Sequence, residues 1–184
     1  DAKQMTFSKV ELKDQQGREI LHLINYDKKI LNLRLERKLK PSDTLSLTLH
    51  YLAKPDEKEK GGSKAIRDDK GLYFINTDNA EPNKPIQIWT QGETEANSCW
   101  FPTIDKPNEK FTSTLHITVQ KDFTTLSNGI FEGSTFSENL RTDTWRNPTP
   151  MPAYLTMMAI GDFKSTQDTW REKEVSYYLE PNYH

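Results

Sequence analysis

The sequence holds a single cysteine, Cys99, so it can form neither an internal disulfide nor a thiolate metal cluster. Cys99 is read as a structural thiol, partly buried. No apolar run approaches the ~18 residues that a membrane-spanning helix needs. Neither sign of charge is in excess: 25 Lys+Arg face 27 Asp+Glu, a net charge of −2, and the signs are interspersed. Without a basic field, nucleic acid and anionic membrane surfaces are excluded as charge-driven partners. Asn-x-Ser/Thr sequons are absent, so nothing points to N-glycosylation. Apolar residues are also scarce, at 34%, with a mean hydropathy of −0.84. That is lean for a self-contained globule of 184 residues. Two arrangements fit: a thin, sheet-rich domain with one wet face per sheet, or a piece of a larger molecule.

The familiar signatures of catalysis are missing too. The four histidines are His22, His50, His116 and His184, and no two stand at i, i+4 in an H-E-x-x-H context. No G-x-S-x-G elbow, phosphate-cradling glycine loop or dinucleotide fingerprint occurs. By its own residues the chain carries no catalytic machinery and no metal site.

What the chain does have is alternation. Leu31, Leu33 and Leu35 share one face, against Asn32, Arg34 and Glu36 on the other. Leu45, Leu47, Leu49 and Tyr51 repeat the pattern, as do Leu115, Ile117 and Val119, and Ile86 and Ile88. A period of two buries one face and wets the other, which is the mark of antiparallel sheet. Further strands are expected at 6–12, 19–24, 72–75, 123–127, 140–146, 154–160 and 174–179, about a dozen in all. Gln16-Gly17, Lys40-Pro41-Ser42-Asp43 and Ser127-Asn128-Gly129 are turn chemistry between strands. Lys54–Lys70, with Gly61-Gly62 at its centre, reads as a charged, mobile connection. Pro148, Pro150 and Pro152 read as an extended lead-in to a strand at Tyr154. The expectation is one all-β domain over residues 1–184, an antiparallel β-sandwich.

The most informative segment is Ile86–Lys110, IQIWTQGETEANSCWFPTIDKPNEK. A strand runs into a polar loop bearing Gln91, Glu93 and Glu95, followed by Cys99-Trp100-Phe101-Pro102 and Asp105-Lys106-Pro107. Two carboxylates and an amide at the end of a rigid strand can bind a cation: a substrate ammonium, a basic side chain or a metal ion. By residue chemistry alone, surface carboxylates on a loop are the simpler account. Asp105 and Pro107 read as turn residues. Trp89, Trp100, Trp145 and Trp170 read as sheet or inter-domain packing rather than ligand platforms.

Thr90-Gln91-Gly92-Glu93, then Trp-Phe-Pro and Asp-x-Pro, resembles the amino-terminal domain of the aminopeptidase N family of zinc metallopeptidases, which includes leukotriene hydrolase. Leu126-Ser127-Asn128-Gly129, Pro152-Ala153-Tyr154-Leu155 and Gly161-Asp162-Phe163 resemble the family's later L-S-N-G, P-x-Y-L and G-D-F stretches, in the same order. The resemblance implies the saddle-like β-sandwich of that domain. It also implies that zinc is held in a following catalytic domain by an H-E-x-x-H helix and a later Glu, with none held in this chain. It implies a peptide substrate whose free amino terminus is anchored by Glu93, jointly with a Glu of a G-A-M-E-N loop in that domain. Gln91 would line the first side-chain pocket. Gly92 replaces a larger residue and implies a more open backbone at that pocket. Glu95 is not asked for by the family pattern and reads as a surface carboxylate.

The first residue is Asp1 and the first methionine Met5, so the gene product is expected to extend upstream, which leaves the compartment open. The rival expectation is a non-catalytic β-sandwich, serving as a binding or scaffold module with aminopeptidase-like architecture.

Overall fold

The computed structural model describes residues 1–57 and 69–183. Most of the Lys54–Lys70 connection, Gly61-Gly62 included, lies outside the described residues, as does His184. The fold is all-β, and every strand pair is antiparallel. Thirteen strands among the described residues form five sheets. In the first, β1 (Met5–Asp14) pairs with β4 (Leu45–Ala53). A hairpin joins β2 (His22–Tyr26) to β3 (Leu31–Leu35). A four-stranded sheet runs in the order β5 (Leu72–Ile75), β6 (Gln87–Thr90), β11 (Met158–Gly161), β8 (Thr124–Ser127). A three-stranded sheet runs β7 (Lys110–Gln120), β10 (Leu140–Pro152), β9 (Ile130–Ser137). The last hairpin is β12 (Lys164–Trp170) with β13 (Lys173–Leu179).

The core lies between the three- and four-stranded sheets. Ile117, Val119 and Trp145 from the first meet Ile160 from the second, flanked by Ile88, Leu115, Phe123, Leu126 and Met158. Burial along β7 alternates from Phe111 to Val119 without a break, which the Leu115-x-Ile117-x-Val119 spacing requires. Truncating a buried aliphatic here would cost about 2–5 kcal/mol. His116 sits on the opposite, wet face and meets Thr144 at 3.0 Å.

Three segments depart from expectation. Residues 154–160 form two elements: a 3-10 turn, Ala153–Leu155, and β11, which starts only at Met158. Side chains of Asn97, Ser127 and Asn128 take the backbone carbonyls here. The prolines before it are no separate lead-in but part of β10 itself. Pro148 and Pro150 fall in a bulge, because the β10–β7 register shifts between Asn147 and Met151. A residue without an N–H is tolerated where no ladder bond is asked of it. Finally, β9 and β12 carry no apolar alternation and are unmarked in the sequence.

Candidate functional site

The end of β6 is built by Thr90. Its hydroxyl accepts from the Met158 N–H at 3.0 Å, extending the β6–β11 ladder by one side-chain rung beyond the Ala159↔Trp89 pair. The chain then leaves the sheet. Gln91 N–H donates to the Gly71 carbonyl at 3.0 Å, and the Gln91 side chain curls forward so that its Oε1 accepts from Glu93 N–H at 3.1 Å. Ala96 N–H returns to the Gly92 carbonyl at 2.9 Å, and a 3-10 turn, Asn97–Cys99, closes the loop. The Glu93–Thr94 peptide is cis.

Asn97 holds this loop from inside. It is fully buried, and its Nδ2 donates to the carbonyls of Ala153 and of Thr156, the latter at 2.8 Å. Its Oδ1 accepts from Trp100 Nε1 at 2.8 Å. All three polar positions of the amide are thus used. Asp105, also buried, accepts from Ser98 N–H at 2.9 Å, so the Asp-x-Pro pattern braces the same turn. From the far side, Asn128 accepts from Met157 N–H at 2.7 Å and donates to the Leu155 carbonyl at 3.1 Å, while Ser127 donates to the Met157 carbonyl. Gly129, at φ +89, lies so close to Arg146 that a Cβ would fall 2.1 Å from its carbonyl oxygen. Two stretches remote from each other in sequence therefore grip one turn, 153–157: the loop after β6 through Gly92 and Asn97, and L-S-N-G through Ser127 and Asn128.

Gly92 does not open the backbone. A Cβ there would lie 2.3 Å from the Tyr154 carbonyl oxygen and 2.7 Å from Asn97 Nδ2. Glycine at this position permits close approach of two chain segments, the reverse of the extra room its small size suggested.

The loop's carboxylates divide sharply. Glu95 Oε1 accepts from Lys106 Nζ at 2.8 Å, and that ammonium holds its carboxyl below the ordinary value. Its backbone carbonyl also accepts from Lys3 Nζ. Glu93 is exposed, and its carboxylate makes no hydrogen bond or ion pair among the described residues. Of the two acids at the end of β6, one is spent on structure and the other has no partner among the described residues. Cys99 is buried and structural. Trp89 stacks on Tyr73 across β5–β6 at 4.6 Å, and Trp145 is buried with its Nε1 on Thr125. Trp170 is exposed. Among the described residues no group of three His, Cys, Asp or Glu is placed to hold a metal ion, and no helix is long and apolar enough to cross a membrane. Asn97, the residue that organises the loop, has no sequence signal beyond being one Asn in a polar run.

Comparison with known proteins agrees with this geometry. Rat glutamyl aminopeptidase is 32% identical over 114 residues, and the pig enzyme of the same name 34% identical over 83 residues. These matches cover 61% and 44% of this chain but only 12% and 9% of those proteins. The chain thus spans a small fraction of the curated relatives it matches. Among solved structures, a mutant two-domain M1 zinc metallopeptidase bound to L-arginine superposes with a TM-score of 0.73 at 20% identity. That match covers 96% of this chain and 37% of the other. The M1 zinc metallopeptidase of Deinococcus radiodurans gives 0.71 at 21% identity, covering 92% and 35%. At these identities the superpositions establish the fold. The sequence model of the peptidase M1 N-terminal domain matches residues 1–155, most of the chain. The chain therefore belongs to the peptidase M1 N-terminal domain family.

Proposed function

We propose that residues 1–184 act as a single amino-terminal β-domain of a zinc aminopeptidase, removing amino-terminal residues from peptides, and that Glu93 anchors the substrate α-ammonium. The observation that carries the assignment of Glu93 is the division between the two acids: Glu95 is neutralised by Lys106, whereas Glu93 is exposed and unpaired among the described residues. An exopeptidase must recognise a free amine at a fixed distance from the scissile bond. A carboxylate on a braced loop supplies a charge-assisted, directional contact. Gln91 Oε1, already accepting from Glu93 N–H, has a second lone pair with which to accept from the same amine. Gly92 serves by close packing, setting the loop on the Tyr154 carbonyl. The zinc that the M1 family implies for the full-length protein belongs to the catalytic domain, which is the partner of this one. The chain's own contribution is to bind and orient the substrate, with no proton or bond moved by its residues.

The test is kinetic. In the longer protein carrying the zinc domain, Glu93→Ala should lower kcat/KM for free-amine peptides by an amount equivalent to about 2–4 kcal/mol. Unaltered kinetics would remove Glu93 from the site.

A further inference from the structure

The three-stranded sheet is covered along β7 and open along β9. Directly paired residues share a face, so Ile117, Asp143 and Ser134 form one row across β7, β10 and β9. The rows beside it are Leu115, Trp145, Phe131 and Val119, Arg141, Phe136. The β7 end of each row lies in or against the core. The β9 end does not: Phe131 is 49% and Phe136 70% exposed. The β12–β13 hairpin meets this end across a cleft of about 520 Å³, to which it contributes Ser165, Gln167, Glu174 and Tyr178. The register places these four on one face of the hairpin, its inner face. Hydroxyls, an amide and a carboxylate cannot be pressed onto two phenyl rings without losing the water that solvates them, so the cleft stays open where the rest of the sheet closes into core.

Three charged residues line the cleft: Arg141, Asp143 and Glu174. Arg141 and Asp143 cancel, joined by two hydrogen bonds of 2.8 Å, and Arg141 also donates to the carbonyls of Lys121 and Phe123. Glu174 is different. Its Oε1 accepts from Gln167 Nε2 at 3.0 Å and from Ser176 Oγ at 2.7 Å, both neutral donors, and it forms no ion pair among the described residues. The cations next to it in sequence are turned elsewhere. Arg171 lies over the Trp170 ring, 4.4 Å from its centroid, and Lys173 pairs with Trp170 on the other face of the hairpin. The cleft therefore combines one uncompensated negative charge, a second acceptor in Gln167 Oε1, and exposed aromatic rings.

A carboxylate beside aromatic rings selects an organic cation, because the rings present negative faces and the acid a full charge. Flat rings and two neighbouring acceptors favour a guanidinium over an ammonium. The guanidinium stacks on a ring and donates through a planar fork, whereas the ammonium is a compact, strongly hydrated point charge. We propose that this cleft binds the guanidinium group of an arginine side chain, stacked on the Phe131 and Phe136 side and donating to Glu174 and Gln167. The volume lies within the range of small-ligand sites and exceeds what one guanidinium fills, which leaves room for the chain that carries it. Neither Glu93 nor zinc takes part in this binding.

The probe is Nα-acetyl-arginine amide, which carries the guanidinium but no free α-amine for Glu93 to hold. Calorimetric titration of the full-length protein should show saturable binding with a Kd of about 1 mM. The citrulline analogue, alike in shape but uncharged, should bind at least about tenfold more weakly, and Glu174→Gln should weaken binding of the arginine compound by a similar factor. Glutamine at this exposed position keeps an acceptor for Gln167 and Ser176, so the fold should survive the change. Phe136→Ala removes a ring that is mostly in solvent and should weaken binding about threefold, a second reading that does not depend on Glu174. Equal affinity for the arginine and citrulline compounds, equal affinity of the parent and Glu174→Gln, or no saturation up to about 10 mM would overturn the proposal. A blocked peptide with a central arginine that binds more tightly than the amide would assign the cleft to peptides, and equal affinity would assign it to small guanidinium compounds. Glu93→Ala should leave these affinities unchanged while lowering peptidase kcat/KM, so either idea can fail alone.

Discussion

Asn97 and Glu93 are four residues apart, and the structure assigns them opposite duties. Asn97→Ala would strand the Thr156 carbonyl and the Trp100 indole N–H, and leave the Ala153 carbonyl only the Thr156 N–H, in a turn where Thr156 Oγ1 already lacks a hydrogen bond among the described residues. The expected loss is about 3 kcal/mol, read from the urea midpoint. Glu93→Ala touches no partner among the described residues, so its stability should stay within about 0.5 kcal/mol of the parent. Equal destabilisation by the two would refute this division of labour. Glycine offers a second contrast. Gly92→Ala drives a methyl into the Tyr154 carbonyl, whereas Gly17, at φ +77, has open space around a Cβ. We expect Gly17→Ala to cost about 1 kcal/mol from its left-handed backbone, and Gly92→Ala to cost more, about 1–3 kcal/mol with displacement of the loop. Thermal unfolding of both variants would rank them.

Among the elements, the joint between the two main sheets rests on Asp143 of β10. Its carboxylate accepts from Arg141 Nε and a second guanidinium N–H, both at 2.8 Å, from Ser134 Oγ of β9 at 2.6 Å and from Thr125 Oγ1 of β8 at 2.6 Å. Thr125 in turn accepts from Trp145 Nε1, and Arg141 also donates to the carbonyls of Lys121 and Phe123. Burial pushes the Asp143 carboxyl upward, but the Arg141 fork and the two hydroxyls outweigh it, so its value lies below the ordinary one. A depressed carboxyl contributes stability that is present above its unfolded value, about 3.9, and lost as pH falls through the folded value. The Asp143→Asn variant should therefore be less stable than the parent at pH 7, with the difference shrinking below about pH 4. A gap that stayed constant from pH 7 to pH 2.5, followed by urea unfolding, would sink this account. The β12–β13 element shows why some strands escape a sequence reading. Its inner face is polar, and its turn, Arg171-Glu172, adopts positive φ at both residues without the Asn or Gly that normally marks such a bend. β9 is hidden in the same manner, by Gly133, Ser134 and Thr135 in a mostly exposed strand.

For the whole molecule, zinc should be irrelevant to this chain's own stability, since no three of its described His, Cys, Asp or Glu residues converge. Adding a strong chelator to the purified 184-residue chain should leave its thermal midpoint unmoved; a drop of several degrees would reveal a metal site. Within the molecule, what local chemistry dictates and what packing decides separate cleanly. Alternation such as Leu115-x-Ile117-x-Val119 made the all-β class and most strands legible, because a period of two is a property of the strand itself. Order along the chain made the M1 resemblance legible, since T-Q-G-E, L-S-N-G and P-A-Y-L can be read in one dimension. Their meeting could not be read there. Only the folded chain brings Gly92, Asn97, Ser127 and Asn128 onto the turn at 153–157, turns Tyr154 out of a ladder, and closes the backbone at Gly92 where its small size suggested room. The same holds for the two acids. Glu93 and Glu95 are chemically alike in sequence, and it is Lys106, eleven residues after Glu95 and brought alongside by the Asn97 turn, that neutralises Glu95, while Glu93 meets no partner among the described residues. A carboxylate's availability is a property of its neighbours in space, and those neighbours exist only once the backbone has closed.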